Sequence, residues 1–187
     1  MTNKDLIRQY VDTGAGIPKY QFDKLSSSDK KTYLRKMLIS IEYDPSKVEY
    51  YYGELPYETQ LKMVKKSASN IGFIQSEEIQ KSILTNYGQL IKYIKNPSKE
   101  LQLLALRVHG ENIQYIENPS EEVQIAAVQA PNDSLGKVIK YIDNPSENVQ
   151  MAAVKANRYA LHNIKNPTEK VLALYDQLYI KWQTKIS

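Results

Sequence analysis

The chain has 187 residues, 42% hydrophobic and 25% charged, the make-up of an ordinary globular domain. It contains no cysteine, which excludes a disulfide framework and a thiolate metal site. The formal net charge of +4 and the pI near 9.0 are a weaker basic excess than a dedicated nucleic-acid binder carries, and residues 1–70 hold most of it. Fifteen tyrosines stand against two phenylalanines and one tryptophan, so tyrosine is the aromatic resource available to a core or an interface. The opening MTNKDLIRQYVDTG has charges and no apolar h-region, so a secretory signal is not expected. No apolar run approaches the roughly 18–20 residues that span a bilayer, and a cytoplasmic protein with no membrane contact is expected.

Residues 1–50 read as an N-terminal helical module. DTGAGIP at 12–18 is expected to be a loop between helices, and SSSDKKTYLRKMLISI at 26–41 a capped helix with a basic face of Lys30, Lys31, Arg35 and Lys36. A tyrosine-rich stretch follows: Tyr43, Tyr50, Tyr51, Tyr52 and Tyr57. Residues 51–187 read as a second region. It starts with the helical half of a unit, PYETQLKMV at 56–64, and continues with IGFIQSEEIQKSIL at 71–84.

From there the sequence repeats itself. The segments are IKYIKNPSKELQLLAL, IQYIENPSEEVQIAAV, IKYIDNPSENVQMAAV and LHNIKNPTEKVLALY, with Asn-Pro at 96–97, 118–119, 144–145 and 166–167. The Asn-Pro spacings are 22, 26 and 22 residues, and the longer one contains PNDS at 131–134. From the last apolar residue of a long segment to the closing Ile of the next short one is ten residues in four cases, Val64 to Ile74, Leu84 to Ile94, Leu106 to Ile116 and Val154 to Ile164. Self-similarity at this period is the mark of a stacked repeat architecture.

Local chemistry gives each repeat two helices. Proline keeps the preceding Asn out of the right-handed helical region, so the chain turns there. Ser98, Ser120, Ser146 and Thr168 then stand as N-caps. Glu100, Glu121, Glu122, Glu147 and Glu169 complement the positive end of each helix. The apolar stretch ends with a small penultimate residue, Ala105, Ala127 or Ala153, which permits close approach of a neighbour. A shorter second helix ends in Ile-x-Tyr-Ile, and no stretch alternates with the period of a strand. The last repeat departs from the pattern with Leu172 and Tyr175, as a terminal repeat does.

These NPSEEVQ–AAV units resemble the short Asn-Pro-punctuated helical repeats of uncharacterised tailed-phage proteins, and are similar to variant leucine-rich and HEAT-like repeats. The segment IPKYQFDKLSSSDKKTYLRKML is similar to an N-terminal module that accompanies such repeats. The resemblance covers about residues 55–175. It implies an all-α fold, a short right-handed α-solenoid of about five to six two-helix repeats behind an N-terminal helical cap module. It brings no catalytic residues.

Motifs of chemistry are few. Val11-Asp12-Thr13-Gly14-Ala15 looks like the Asp-Thr-Gly of aspartic proteases, but that chemistry needs paired aspartates on strand-held loops, and this region is helical in pattern. A turn is expected instead. His109 and His162 lie 53 residues apart with no metal-ligating companions, and His109 precedes Gly110 at a helix end. No Walker A, GxGxxG or GxSxG pattern occurs. No cofactor and no catalytic role are expected.

The recurring Gln60, Gln80, Gln102, Gln124 and Gln150 are expected to bond the turn backbone of a neighbouring repeat, because buried loop amides must be satisfied. Phe73, Tyr93, Tyr115 and Tyr141 recur in the short helix and are expected to pack in or beside the core. Basic residues recur in two columns: Lys65, Arg107 and Lys155 after the apolar stretch, and Lys92 and Lys140 in the short helix. With the tyrosines of 43–57 they form the expected contact surface of a protein that binds another macromolecule. The resemblance makes it a phage-encoded adaptor or inhibitor of a host protein, acting in the host cytoplasm. RNA or DNA bound along the basic columns is the alternative.

Overall fold

The structure, a computed structural model, describes residues 2–13, 17–39, 57–74 and 76–183. Tyr43, Tyr50, Tyr51 and Tyr52, and Gly14 of the Asp-Thr-Gly sequence, lie outside the described residues. Among the described residues the fold is all-helical, and its contacts form two compact units, Met1–Ser76 and Glu77–Ser187. The first unit thus takes in the helical segment 57–74, which the sequence pattern grouped with the repeats.

In the first unit, helix α1 spans Asn3–Asp12, α2 Lys19–Phe22 and α3 Ser27–Ile39. Thr2 and Asp5 form a capping box: Thr2 Oγ1 accepts from the Asp5 N–H, and the Thr2 N–H donates to the Asp5 carboxylate. Ser26 Oγ accepts from the Asp29 N–H at 3.1 Å, the expected cap of the basic helix. Helices α1 and α3 pack together, and Ile7, Ile17, Phe22, Leu25, Tyr33 and Leu34 form the core. The Tyr33 hydroxyl accepts from the Ile17 N–H at 3.0 Å, which satisfies the start of α2 from inside. Burial pushes the Tyr33 phenol above its ordinary value, against the opposing pull of that N–H. Helix α4, Tyr57–Lys66, is followed by a 3-10 helix, η1, at Ala68–Phe73. The buried Asn70 amide donates to the Met63 carbonyl between them.

The second unit alternates α and 3-10 helices without interruption. The order is α5 (Glu77–Leu84), η2 (Gly88–Tyr93), α6 (Lys99–Val108), η3 (Gly110–Tyr115), α7 (Glu121–Val128), η4 (Val138–Tyr141), α8 (Glu147–Ala156), η5 (Arg158–Asn163) and α9 (Glu169–Gln183). Each α-helix packs on the next, α5 through α9, and each 3-10 helix on the next, η2 through η5. The expected N-caps form: Ser98, Ser120, Ser146 and Thr168 accept from the N–H of Leu101, Val123, Val149 and Val171. Each such cap stabilises its helix by about 1 kcal/mol.

The Asn-Pro corners are tighter than proline alone requires. Asn96, Asn118 and Asn144 sit at φ of 50°, 47° and 49°. Asparagine is the side-chain-bearing residue that tolerates this left-handed region best, so the dipeptide specifies the corner from both sides. The short helix of each repeat is a 3-10 helix and not the α-helix that a two-helix reading implies. Its four to six residues are closed by i→i+3 bonds such as Ile94 N–H to Ile91 O and Ile116 N–H to Ile113 O.

The small residues work as expected. Ala105, Ala127 and Ala153 are buried, and the Ala105 and Ala127 carbonyls press against Gly88 and Gly110 of the preceding 3-10 helix. Ile83, Leu84, Ile91, Leu101, Leu106, Ile113, Val123, Val128, Ile139, Val149 and Val154 fill the space between the two rows. Each such burial contributes about 1.5–3 kcal/mol. The PNDS insertion is tied down on both sides. Asn132 Nδ2 donates to the Val108 carbonyl, the Asp133 carboxylate accepts from the Lys137 and Val138 N–H groups, and Asn157 Nδ2 donates to the Asp133 carbonyl. Gly136, at φ 62°, lets the chain turn back against Ala160.

Candidate functional site

The spacing of the isoleucines decides what the short helices show to solvent. With three residues per turn, positions i and i+3 lie on one face. Ile91 and Ile94, Ile113 and Ile116, and Ile139 and Ile142 all point inward and are buried. The two residues between them must therefore point away. Tyr93, Tyr115 and Tyr141 remain 38%, 39% and 42% exposed, and Lys92 and Lys140 are exposed beside them. The isoleucines occupy the core, and the phenol rings stand half-buried beside it with their open sides in an outward row. Lys92 Nζ stands 4.9 Å from the centroid of the Tyr93 ring and 5.8 Å from that of Tyr115, which joins neighbouring repeats into one cationic and aromatic surface.

Two recesses open along this row. One, of about 500 Å3, is lined by Lys92, Tyr93, Lys95, Asn96, Tyr115 and Glu117, among others. The other, of about 560 Å3, is lined by Lys140, Asp143, Asn144, His162, Asn163 and Lys165, among others. Their floors are held by the repeated glutamines. Gln102 and Gln150 donate to the Pro97 and Pro145 carbonyls, five residues upstream, and Gln124 does the same to Pro119. Gln102 and Gln124 thus brace the corner of their own repeat. Gln150 braces its own and also reaches the neighbour as expected, since its Oε1 accepts from the Thr168 N–H.

The α-helix starts make a different surface, in which charge is cancelled across repeats. Lys81 bridges Glu100, Lys99 bridges Glu122, and Lys170 bridges Glu147. The cap hydroxyls of Ser98 and Ser146 donate to Glu77 and Glu121. The Lys170 and Thr168 hydrogen bonds hold the Glu147 carboxyl below its ordinary range, and those of Glu100 and Glu78 push the Lys81 ammonium upward. These groups are spent on one another.

The structure separates the residues that the sequence grouped. Lys92 and Lys140 line the recesses. Arg107 and Lys155 are exposed in the last turns of α6 and α8, where they complement the helix dipole, and line neither recess. Lys65 and Tyr57 are exposed on α4, in the other compact unit. His109 is the C-cap of α6, and His162 is exposed at one recess. Asp12 ends α1, and Thr13 closes it by donating to the Gln9 carbonyl. The sequence reading missed Lys95 and Lys165 and the outward role of Tyr93, Tyr115 and Tyr141; the i, i+3 spacing of the isoleucines was the available signal.

Among the described residues no group of three or more His, Cys, Asp or Glu is placed to hold a metal ion, and no helix is long and apolar enough to cross a membrane. No protein-family model, curated protein or solved structure matches this chain.

Proposed function

We propose that this chain is a non-catalytic helical-repeat protein, a short solenoid, that binds another protein through the face made by its 3-10 helices. The observation that carries the reading is the outward row of Tyr93, Tyr115 and Tyr141, at one position of successive 3-10 helices that pack together. Tyrosine buries a large area on binding at little entropic cost and keeps a hydroxyl for a polar partner, so it is enriched in protein interfaces. The rings stand on short, braced helices, so little ordering is needed on binding. The sequence resemblance supports the narrower form of the reading, a phage-encoded adaptor or inhibitor that acts on a host protein.

The test is affinity capture by the whole chain from cell lysate, with and without nuclease, beside a variant carrying Tyr93→Ser, Tyr115→Ser and Tyr141→Ser. The expected result is a protein partner that survives nuclease and is lost with the triple variant. Retention that disappears on nuclease treatment and ignores the tyrosines overturns the reading.

A further inference from the structure

The charges along the 3-10 face alternate in register with the repeats. The two recesses are one place in the repeat, two steps apart: Lys140 answers Lys92, Asn144 answers Asn96, Gln150 answers Gln102 and Lys165 answers Glu117. At the step between them the corresponding positions carry Gln114, Glu117 and Asp143, two carboxylates and no lysine. The face therefore runs from Lys92 and Lys95, past Glu117 and Asp143, to Lys140 and Lys165.

None of these four lysines has a carboxylate within 4.0 Å among the described residues, although Lys81, Lys99 and Lys170 on the α-helices all do. The same repeats thus cancel charge at one surface and leave it open at the other. A nucleic-acid strand carries negative charge at every nucleotide and would meet Glu117 and Asp143 in the middle of its path. A polypeptide can alternate its charges. Packed neighbouring helices lie about 8–10 Å apart, and an extended chain advances about 3.3 Å per residue, so one repeat step matches about three residues of ligand.

We propose that this face takes an extended segment of a partner protein whose side chains run acidic, basic, acidic at intervals of about three residues. The acidic ends lie over Lys92 with Lys95 and over Lys140 with Lys165, and the basic residue between them faces Glu117 and Asp143. Tyr93, Tyr115 and Tyr141 pack against the intervening side chains. The exposed amides of Asn96, Asn118 and Asn144 stand at the same steps to meet the ligand backbone. This proposal rests on reading the chain as a protein-binding scaffold.

The experiment is selection of peptides from a random dodecamer display library on the whole chain, with a fluorescent oligothymidylate as a separate probe. Enrichment of peptides with acid, base and acid three residues apart is the expected result. A Lys92→Glu, Lys140→Glu variant is expected to bind the enriched peptide about tenfold more weakly, the loss of a pair of exposed ion pairs. The same variant is expected to enrich peptides of inverted end charge, an outcome that an unfolded protein cannot give. Enriched peptides with another charge pattern overturn this proposal and leave the protein-binding reading in place. No enriched peptide together with tight oligothymidylate binding overturns both.

Discussion

Replacing Gly110 by alanine measures how hard η3 presses on the next helix. A Cβ at Gly110 would lie 2.5 Å from the Ala127 carbonyl oxygen, 2.9 Å from Ala130 Cβ and 3.1 Å from Val138 Cγ2. The closest of these is helix backbone, which cannot swing aside as a long side chain can. Gly110 is not in the left-handed region, so alanine brings no backbone strain. By restricting the unfolded chain alone it would stabilise by about 0.4–1 kcal/mol. Overpacking a filled core costs about 1–3 kcal/mol, and a clash with fixed backbone belongs at the upper end. The net loss is then about 2 kcal/mol. In a chain of this size that lowers Tm by about 4–8 °C. Thermal unfolding followed by far-ultraviolet circular dichroism reads the shift. Gly88→Ala is the parallel case: its nearest contacts are the Ala105 carbonyl at 2.8 Å, Val108 Cβ at 2.9 Å and the Asn112 amide at 2.9 Å, which is buried and donates to that carbonyl, so a comparable loss is expected. A Gly110→Ala protein that melts at or above the parent temperature would refute the close approach of the two rows.

The Asn-Pro corners give a second contrast. Asn118→Val places a β-branched residue in the left-handed region and is expected to cost about 1–2 kcal/mol in urea unfolding, whereas Asn118→Gly stays near neutral. Asn166 is not among the residues of positive φ, so Asn166→Val is expected to cost less than Asn118→Val, and equal costs would contradict the corner geometry. Ser120→Ala removes the cap that accepts from the Val123 N–H and is expected to lower stability by about 1 kcal/mol, read from the urea midpoint at constant slope. In the first unit the Asn3 amide and the Ser26 hydroxyl hold the Asp29 carboxyl below its ordinary 3.8. A carboxyl depressed in the folded state stabilises above its unfolded pKa and stops doing so as pH falls through the folded value. Amide exchange in α1 is therefore expected to quicken in acid below that ordinary value, and Asp29→Asn is expected to remove this part of the pH response.

The repeat, its corners and its caps are legible in the sequence because each is set by local chemistry. Ser120 caps α7 and Asn118-Pro119 turns the chain whatever lies nearby. The burial of Ala127 is legible too, since only a small residue suits a place where backbone meets backbone. The pitch of the short helices is not legible by the same means. Six residues such as Gly110–Tyr115 make too few turns for an apolar period to separate 3-10 from α. The direction of Tyr115 does not hang on that ambiguity: at either pitch Ile113 and Ile116 share a face and Tyr115 points away from it, so the spacing of the isoleucines alone signals the outward row. The glutamines show the limit from another side. Their burial is foreseeable from the repeat, but whether Gln124 reaches back to its own Pro119 or across to a neighbour depends on the corner's direction, which φ at Asn118 decides.

The division between a spent surface and an open one follows from the two kinds of helix. An α-helix start presents unpaired N–H groups and a positive end, so it selects hydroxyl caps and acids. In stacked repeats those acids come within reach of a neighbouring repeat's lysine or cap, as Glu147 does for Lys170 and Thr168 and Glu122 for Lys99. That surface neutralises itself as a by-product of capping. A short 3-10 helix has no comparable demand for charge, and its last turn buries the isoleucines at i and i+3 but not the two residues between them. The other two positions are released from folding duty. In this chain they are filled with tyrosine and lysine at Lys92, Tyr93, Lys140 and Tyr141, large and charged groups that a surface with no partner has no physical need to hold in register. The face that folding leaves least constrained is the face on which the sequence places tyrosine and lysine in register, and that is the physical ground of the proposal that a partner binds there.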